Sequence, residues 1–83
     1  MNNLLYPIAT EKAINMIERN NVITYIVDTR SSKAEIKKEF EERFGVKIAA
    51  IRVANTPRNE KKAYIKLAPT SKASEVAMKL KLV

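Results

Sequence analysis

Basic side chains surround one short turn in the C-terminal half of the sequence. Four of them flank the turn predicted over residues 55–60, and these are Arg52, Arg58, Lys61 and Lys62. Lysine and arginine at the tip of a hairpin can reach phosphate groups while their charges stay in water. Lys62, Tyr64 and Lys66 alternate on the outward face of the strand that follows. A tyrosine between cations can stack on an unpaired nucleobase, and the alternative is that a helix covers its ring.

The net charge of +7 is unevenly distributed along the 83 residues. Residues 1–43 contain seven cations and seven anions, whereas residues 44–83 contain nine cations against Glu60 and Glu75. The pI is near 9.9. Clustered cations in a basic protein predict a surface that binds a polyanion, and the alternative is an ordinary solvated surface.

The residue types that carry most catalytic and metal-binding chemistry are missing. The sequence has no cysteine and no histidine, which excludes disulfides, thiol catalysis, zinc ribbons and a histidine general base. The carboxylates Glu39, Glu41 and Glu42 fall on the predicted exposed side of a helix beside basic residues, which favours i, i+4 charge pairing. We therefore expect no enzyme, no metal site and no cofactor. With neither a membrane-spanning apolar run nor a signal peptide, a soluble intracellular domain is expected.

Caps and apolar periodicity predict three helices. They cover residues about 10–20, 32–44 and 71–82. Their N-caps are Thr10, Ser32 and Ser71, and Ser32 forms a capping box with Glu35. Gly45 ends the second helix in a left-handed conformation. The stripes predicted to be buried in the second and third helices are Ile36, Phe40, Phe44, Ala73, Val76, Ala77 and Leu80.

The other apolar segments predict strands. They cover residues 22–28, 46–54 and 61–68, and a short further strand fits residues 3–7. In the second strand, a bulge near residues 49–50 would bring Val46, Ile48, Ile51 and Val53 to the core face, and the alternative is a strand covered on both sides. The fold class is therefore α+β, as a single domain over residues 1–83. A mainly antiparallel sheet of three to four strands packs with helices, in the order helix–strand–helix–strand–strand–helix.

Five short motifs occur in a characteristic order. They are Thr10-Glu11-Lys12-Ala13, Val27-Asp28, Arg30-Ser31-Ser32-Lys33, Glu60-Lys61-Lys62-Ala63 and Glu75-Val76-Ala77. In this order and spacing the chain resembles the universal large-subunit ribosomal protein twenty-three family, in its archaeal form. The likeness covers residues about 6–83. The fold of that family, an antiparallel sheet with helices, agrees with the fold predicted from the residues.

The resemblance implies a function and a set of partners. Members of the family bind large-subunit ribosomal RNA beside the exit of the peptide tunnel, next to other large-subunit ribosomal proteins. They also help to form the platform where nascent-chain factors dock, including the signal recognition particle and the translocon. The implied location is the cytoplasmic ribosome, without membrane insertion. The short turn at residues 55–60 leaves no room for the long tunnel hairpin of bacterial members, which favours the archaeal form.

The basic turn and the matching motifs together give the candidate site residues. Those for ribosomal RNA are Lys12, Arg30, Ser32, Lys33, Arg52, Asn55, Arg58, Lys61 and Lys62. Glu11 matches an acidic docking position of the family, and together with Glu18 it is a candidate for docking proteins. Arg52 replaces an asparagine that is common in the family and offers a phosphate contact instead. The alternative is a free-standing RNA-recognition-type or protein-interaction domain outside the ribosome.

Overall fold

Four strands form one antiparallel sheet within residues 3–80, which the computed structural model describes. In chain order the elements are β1 (Leu4–Pro7), α1 (Glu11–Asn20), β2 (Val22–Val27), α2 (Lys33–Phe44), β3 (Ile48–Asn55), β4 (Lys61–Leu67) and α3 (Ala73–Lys79). The strand order in the sheet is β1-β2-β4-β3, so β2 and β4 are central. The predicted α+β class is confirmed, and the segment at residues 3–7 supplies β1.

Local capping fixes the start of α1 and both ends of α2 as predicted. Thr10 accepts a hydrogen bond from the Ala13 N–H at 3.2 Å and begins α1. Ser32 and Glu35 form the capping box of α2, in which each side chain accepts the other residue's backbone N–H. These contacts hold the pKa of Glu35 below its usual range. Gly45 ends α2 at a φ of +63°, a left-handed conformation that glycine adopts without strain because it has no Cβ.

The start of α3 corrects the prediction for the third helix. The helix begins at Ala73, and Ser71 does not cap it; the Ser71 hydroxyl instead accepts the Lys47 N–H at 3.2 Å. A distant side chain does the capping, because Asn21 Oδ1 accepts the Ala73 N–H at 2.7 Å. The Asn21 Nδ2 also donates to the carbonyl oxygens of Ser71 at 2.8 Å and Leu67 at 3.2 Å. The predicted end of this helix at 81–82 lies outside the described residues.

One face of the sheet forms the hydrophobic core. Ile23, Tyr25 and Val27 of β2 and Ala63, Ile65 and Leu67 of β4 are buried there. Helix α2 covers this face with Ile36 and Phe40, which are fully buried, and Phe40 meets Tyr25 edge to face at 6.2 Å. Each large apolar side chain buried in this way stabilises the fold by about 1.5–3 kcal/mol. The predicted stripe of α2 is confirmed for Ile36 and Phe40, whereas Phe44 packs against the core but is only partly buried.

A bulge in β3 brings its apolar residues into phase. The register shifts between Ile48, opposite Leu67, and Ala50, opposite Lys66. As a result Ile51 and Val53 lie on the core face together with Ile48, and Val46 packs there just before the strand. The bulge near residues 49–50 is therefore confirmed.

Two glutamates of α2 contact backbone rather than only solvent. Glu39 accepts the N–H groups of Asn3 at 2.9 Å and Leu4 at 3.1 Å, and its side chain is only 18% exposed. Glu41 accepts the Ile48 N–H at 2.9 Å. The expected i, i+4 pairing is present for Glu39 with Arg43 at 3.2 Å, but the exposed position predicted for Glu39 and Glu41 is wrong. The reason is tertiary: backbone N–H groups beside β1 and β3 need acceptors, and α2 supplies them.

These contacts make the stability of the fold sensitive to acid through Glu39. Burial raises the pKa of this carboxyl, but the N–H groups of Asn3 and Leu4 and the Arg43 guanidinium outweigh burial and lower the pKa overall. A lowered pKa contributes stability above the ordinary glutamate value of about 4.3, and this contribution is lost as the pH falls through the folded-state pKa. Glu39→Gln should therefore cost about 1–2 kcal/mol at pH 7, and the difference from wild type should shrink toward pH 3.

Urea denaturation at pH 7, 5 and 3 measures this difference. The matched control is Glu42→Gln, since Glu42 lies on the same helix and is exposed. A difference between Glu39→Gln and wild type that stays constant from pH 7 to pH 3 would contradict the role of the Glu39 charge.

No helix among residues 3–80 has the length and apolar character required to cross a bilayer.

Candidate nucleic-acid interface

The face of the sheet opposite the core carries basic residues. On β4 this face holds Lys62, Tyr64 and Lys66, and Arg52 of β3 lies directly opposite Tyr64 in the register. Side chains alternate between the two faces of a strand, so these residues point away from the core. No aspartate or glutamate occurs in the four described strands. We call Arg52, Lys62, Tyr64 and Lys66 the basic face.

Tyr64 lies at the centre of the basic face and is partly open. The Arg52 guanidinium carbon is 6.0 Å from the centroid of the Tyr64 ring, at the outer limit of a cation–π contact. Met16 and Asn20 of α1 line the same groove as Tyr64, so α1 flanks the ring without closing it off. The sequence left two alternatives for this tyrosine, stacking on a base or cover by a helix. In the structure the residue is bordered by α1 and remains partly exposed.

A rigid turn joins β3 to β4 beside Lys62. The Thr56 N–H donates to the Glu60 carbonyl oxygen at 2.8 Å, and the Thr56 hydroxyl accepts the N–H groups of Arg58 and Glu60. Asn59 has a φ of +59°, a left-handed conformation that asparagine tolerates. The turn is internally bonded and leaves Arg58 exposed at its tip, so this cation is presented on a fixed backbone.

The turn is also attached to β1. The Tyr6 hydroxyl donates to Glu60 Oε2 at 2.6 Å, and this hydrogen bond raises the pKa of Tyr6. Tyr6, Arg58 and Lys62 border one groove, together with Ile26 of β2. Within residues 3–80 the Glu60 carboxylate is engaged by a phenol and forms no ion pair with a cation, which leaves Arg58 and Lys62 available for a bound anion.

Lys61 and Lys62 lie on opposite faces of β4. Lys61 Nζ donates to the Ser31 carbonyl oxygen at 2.6 Å, which fixes Lys61 to the loop before α2. Lys62 projects from the opposite face of β4, because successive residues of a strand alternate. A substitution of Lys61 would therefore disturb the fold as well as remove a charge, whereas Lys62 reports on the basic face.

The structure distributes the other predicted RNA-binding residues over several surfaces. Ser32 is occupied as the N-cap of α2, and Arg30 has a side chain 94% exposed and 3.9 Å from Asp28. Lys33 is exposed at the first residue of α2, beside the edge strand β3. The remaining two, Lys12 on α1 and Asn55 at the end of β3, are also exposed. Of the predicted set, only Arg52, Arg58 and Lys62 lie on the basic face or at its border.

The acidic candidates lie on a separate surface. Glu11 and Glu18 are exposed on α1 and are seven residues apart, so they lie on the same side of the helix, two turns from one another.

Two residues of the basic face, Tyr64 and Lys66, are not in the predicted RNA-binding set. The period-two alternation that places Lys62 on the outward face of β4 places them there too. The contribution of Met16 to the groove had no signal in the sequence.

These features define a class of protein: a small basic α+β domain with cations exposed on one face of its sheet. Among residues 3–80 no three acidic side chains are placed to hold a metal ion. The model of the family described as ribosomal protein L23 matches residues 2–80. The chain belongs to this family of structural, non-enzymatic proteins, and it is a protein of the large ribosomal subunit. The family predicted from the five motifs is confirmed.

Proposed function

We propose that this chain binds large-subunit ribosomal RNA beside the exit of the peptide tunnel, with the basic face and Arg58 as the main contact surface. The observation that carries the proposal is the charge of the sheet. Every charged residue in the four described strands is a cation, and three of these four cations project from one face. Phosphate groups are the complementary charges, and they are supplied at high density by folded RNA.

The proposed mechanism is electrostatic and depends on a rigid support. Arg52, Lys62 and Lys66 stand on paired strands, and Arg58 stands on a turn with its own hydrogen bonds. Their spacing is therefore set before RNA arrives, so little conformational entropy is lost on binding. Phosphate contacts fix the register of the protein on the RNA and release counterions from it.

Counterion release gives the proposal a quantitative test. Four phosphate contacts predict a slope of about −3 to −4 for the logarithm of the association constant against the logarithm of the salt concentration. Fluorescence anisotropy with a large-subunit RNA fragment, between about 50 and 300 mM salt, measures the slope. Transfer RNA serves as the competitor that controls for unspecific binding. A slope shallower than −1 would contradict the proposal. So would a large-subunit RNA fragment and a transfer RNA that bind equally well and lose affinity equally as the salt concentration rises.

A second role, as a docking platform for nascent-chain factors, is proposed for α1. Its support is the pair Glu11 and Glu18, which expose two carboxylates on one side of α1. These charges suit a basic or helical partner, such as a component of the signal recognition particle or the translocon. Glu11→Lys with Glu18→Lys should weaken recruitment of such a factor to ribosomes and should not weaken RNA binding, because the added charges are positive. Loss of both activities together would contradict two separate surfaces.

We also infer the archaeal form of the family. The support is the turn between Asn55 and Lys61, which closes the β3–β4 hairpin over five residues. A hairpin this short does not provide the long extension into the tunnel that characterises bacterial members. Contact with the tunnel interior through this hairpin is accordingly not part of the proposed function.

A further inference from the structure

A groove between α1 and the basic face has the shape and chemistry of a small ligand site. Its volume is about 320 Å³, at the small end of the range for ligand pockets. One wall is the partly exposed ring of Tyr64, and apolar walls come from Met16 of α1 and Val22 of β2. The groove therefore offers a flat aromatic surface between apolar walls, which suits one planar ring system.

Charged and polar groups stand at the edges of this groove. Arg52 lies directly across from Tyr64, and Lys66 is two residues further along the same strand. Asn20 of α1 adds an amide, which can both donate and accept hydrogen bonds. Among residues 3–80, the side chains of Lys66 and Asn20 form no hydrogen bond or ion pair with other described groups. No carboxylate lines the groove, so the complementary ligand is an anion attached to a flat ring.

We infer that this groove binds a single unpaired nucleotide of RNA, with its base stacked on Tyr64 and its phosphate between Arg52 and Lys66. A base inside a duplex cannot make this contact, because its faces are covered by the neighbouring bases of the stack. The Tyr64 ring lines a groove bordered by α1, so a base has to leave its own stack before it can lie against this ring. The inference rests on the proposed RNA-binding function and adds the structural feature of the RNA that the site selects.

Two RNA hairpins with the same stem test the inference, one fully paired and one with a single bulged nucleotide. With the full chain at about 150 mM salt, the bulged hairpin should bind roughly tenfold more tightly, since stacking on an aromatic residue has about this effect. Tyr64→Leu should remove the preference while both hairpins still bind through the cations. Tyr64→Phe keeps the ring and should keep the preference, which makes it the matched control.

A second measurement does not depend on any variant folding. When the bulged base is the fluorescent analogue 2-aminopurine, stacking on Tyr64 should quench its emission on addition of the wild-type chain. No quenching and equal affinity for the two hairpins would overturn the inference and leave the proposed function standing. Failure of both hairpins to bind would overturn the proposed function as well. If free adenosine monophosphate bound as tightly as the bulged hairpin, the groove would be a mononucleotide site, and the inference that it selects an unpaired nucleotide within RNA would be wrong.

Discussion

Replacing Arg52, Lys62 and Lys66 together by glutamate is expected to reduce the affinity for large-subunit ribosomal RNA by about 100-fold or more. Each side chain is expected to lose a charged contact with phosphate, and such contacts contribute about 1.5 kcal/mol or more each. The introduced carboxylates then repel the phosphates. Unfolding free energy should change by about 1 kcal/mol or less, because these side chains are exposed or half-exposed on the sheet.

Anisotropy titration against the same RNA fragment measures the loss, and a charge-matched variant controls for net charge. Lys37→Glu, Lys38→Glu and Lys79→Glu make the same change in total charge at exposed positions of α2 and α3. If RNA binding depends on the basic face, this control should lose far less affinity. Equal losses in the two triple variants would show that only the overall charge matters, and the assignment of the basic face would be wrong.

Asn21→Ala is expected to destabilise the fold by about 2–4 kcal/mol. The substitution leaves the Ala73 N–H without its acceptor and the carbonyl oxygens of Leu67 and Ser71 without a donor. These hydrogen bonds are partly buried, and each polar group left unpaired and shielded from water costs about 1–3 kcal/mol. Alanine must also adopt the left-handed conformation found at residue 21, where φ is +58°, and this adds about 1 kcal/mol.

Two further substitutions at position 21 separate these contributions. Asn21→Gly removes the hydrogen bonds but accepts the backbone conformation, so it should be less destabilising than alanine. Asn21→Asp keeps an acceptor for the Ala73 N–H and removes the donor. Urea denaturation at pH 7 gives the unfolding free energies. An alanine variant within about 0.5 kcal/mol of wild type would contradict the role of Asn21 as the cap of α3.

Elements determined by neighbouring residues could be predicted from the sequence. The capping box of Ser32 and Glu35, the stop at Gly45 and the alternation of β4 all depend on local chemistry, and the structure contains each of them. The bulge in β3 could also be inferred, because only a shift of register brings its apolar residues to one face. The outward positions of Arg52 and Lys62 follow from the same alternation.

Features that depend on distant residues could not be predicted. Ser71 is a residue type that often caps helices, but the hydrogen bond to the Ala73 N–H at the start of α3 is accepted by Asn21, which is distant in the sequence. Within the sequence of α2, Glu39 has the spacing of a solvent-exposed residue. It is partly buried because the backbone N–H groups of Asn3 and Leu4, at the start of β1, donate to its carboxylate. The groove at Tyr64 exists only because α1 lies against the second face of the sheet, and no pattern within α1 indicates that position.

The order of strands also determines when the sheet can be completed during synthesis of the chain. The central strand β2 ends at Val27, and its main partner β4 begins only at Lys61, after α2 and β3 have been made. Until then Val22–Val27 is an uncharged run rich in β-branched and aromatic residues, without proline or glycine, which is the composition that favours aggregation. In the finished fold all six residues are buried. The completion of β4 therefore ends the period in which this chain is exposed to misassembly.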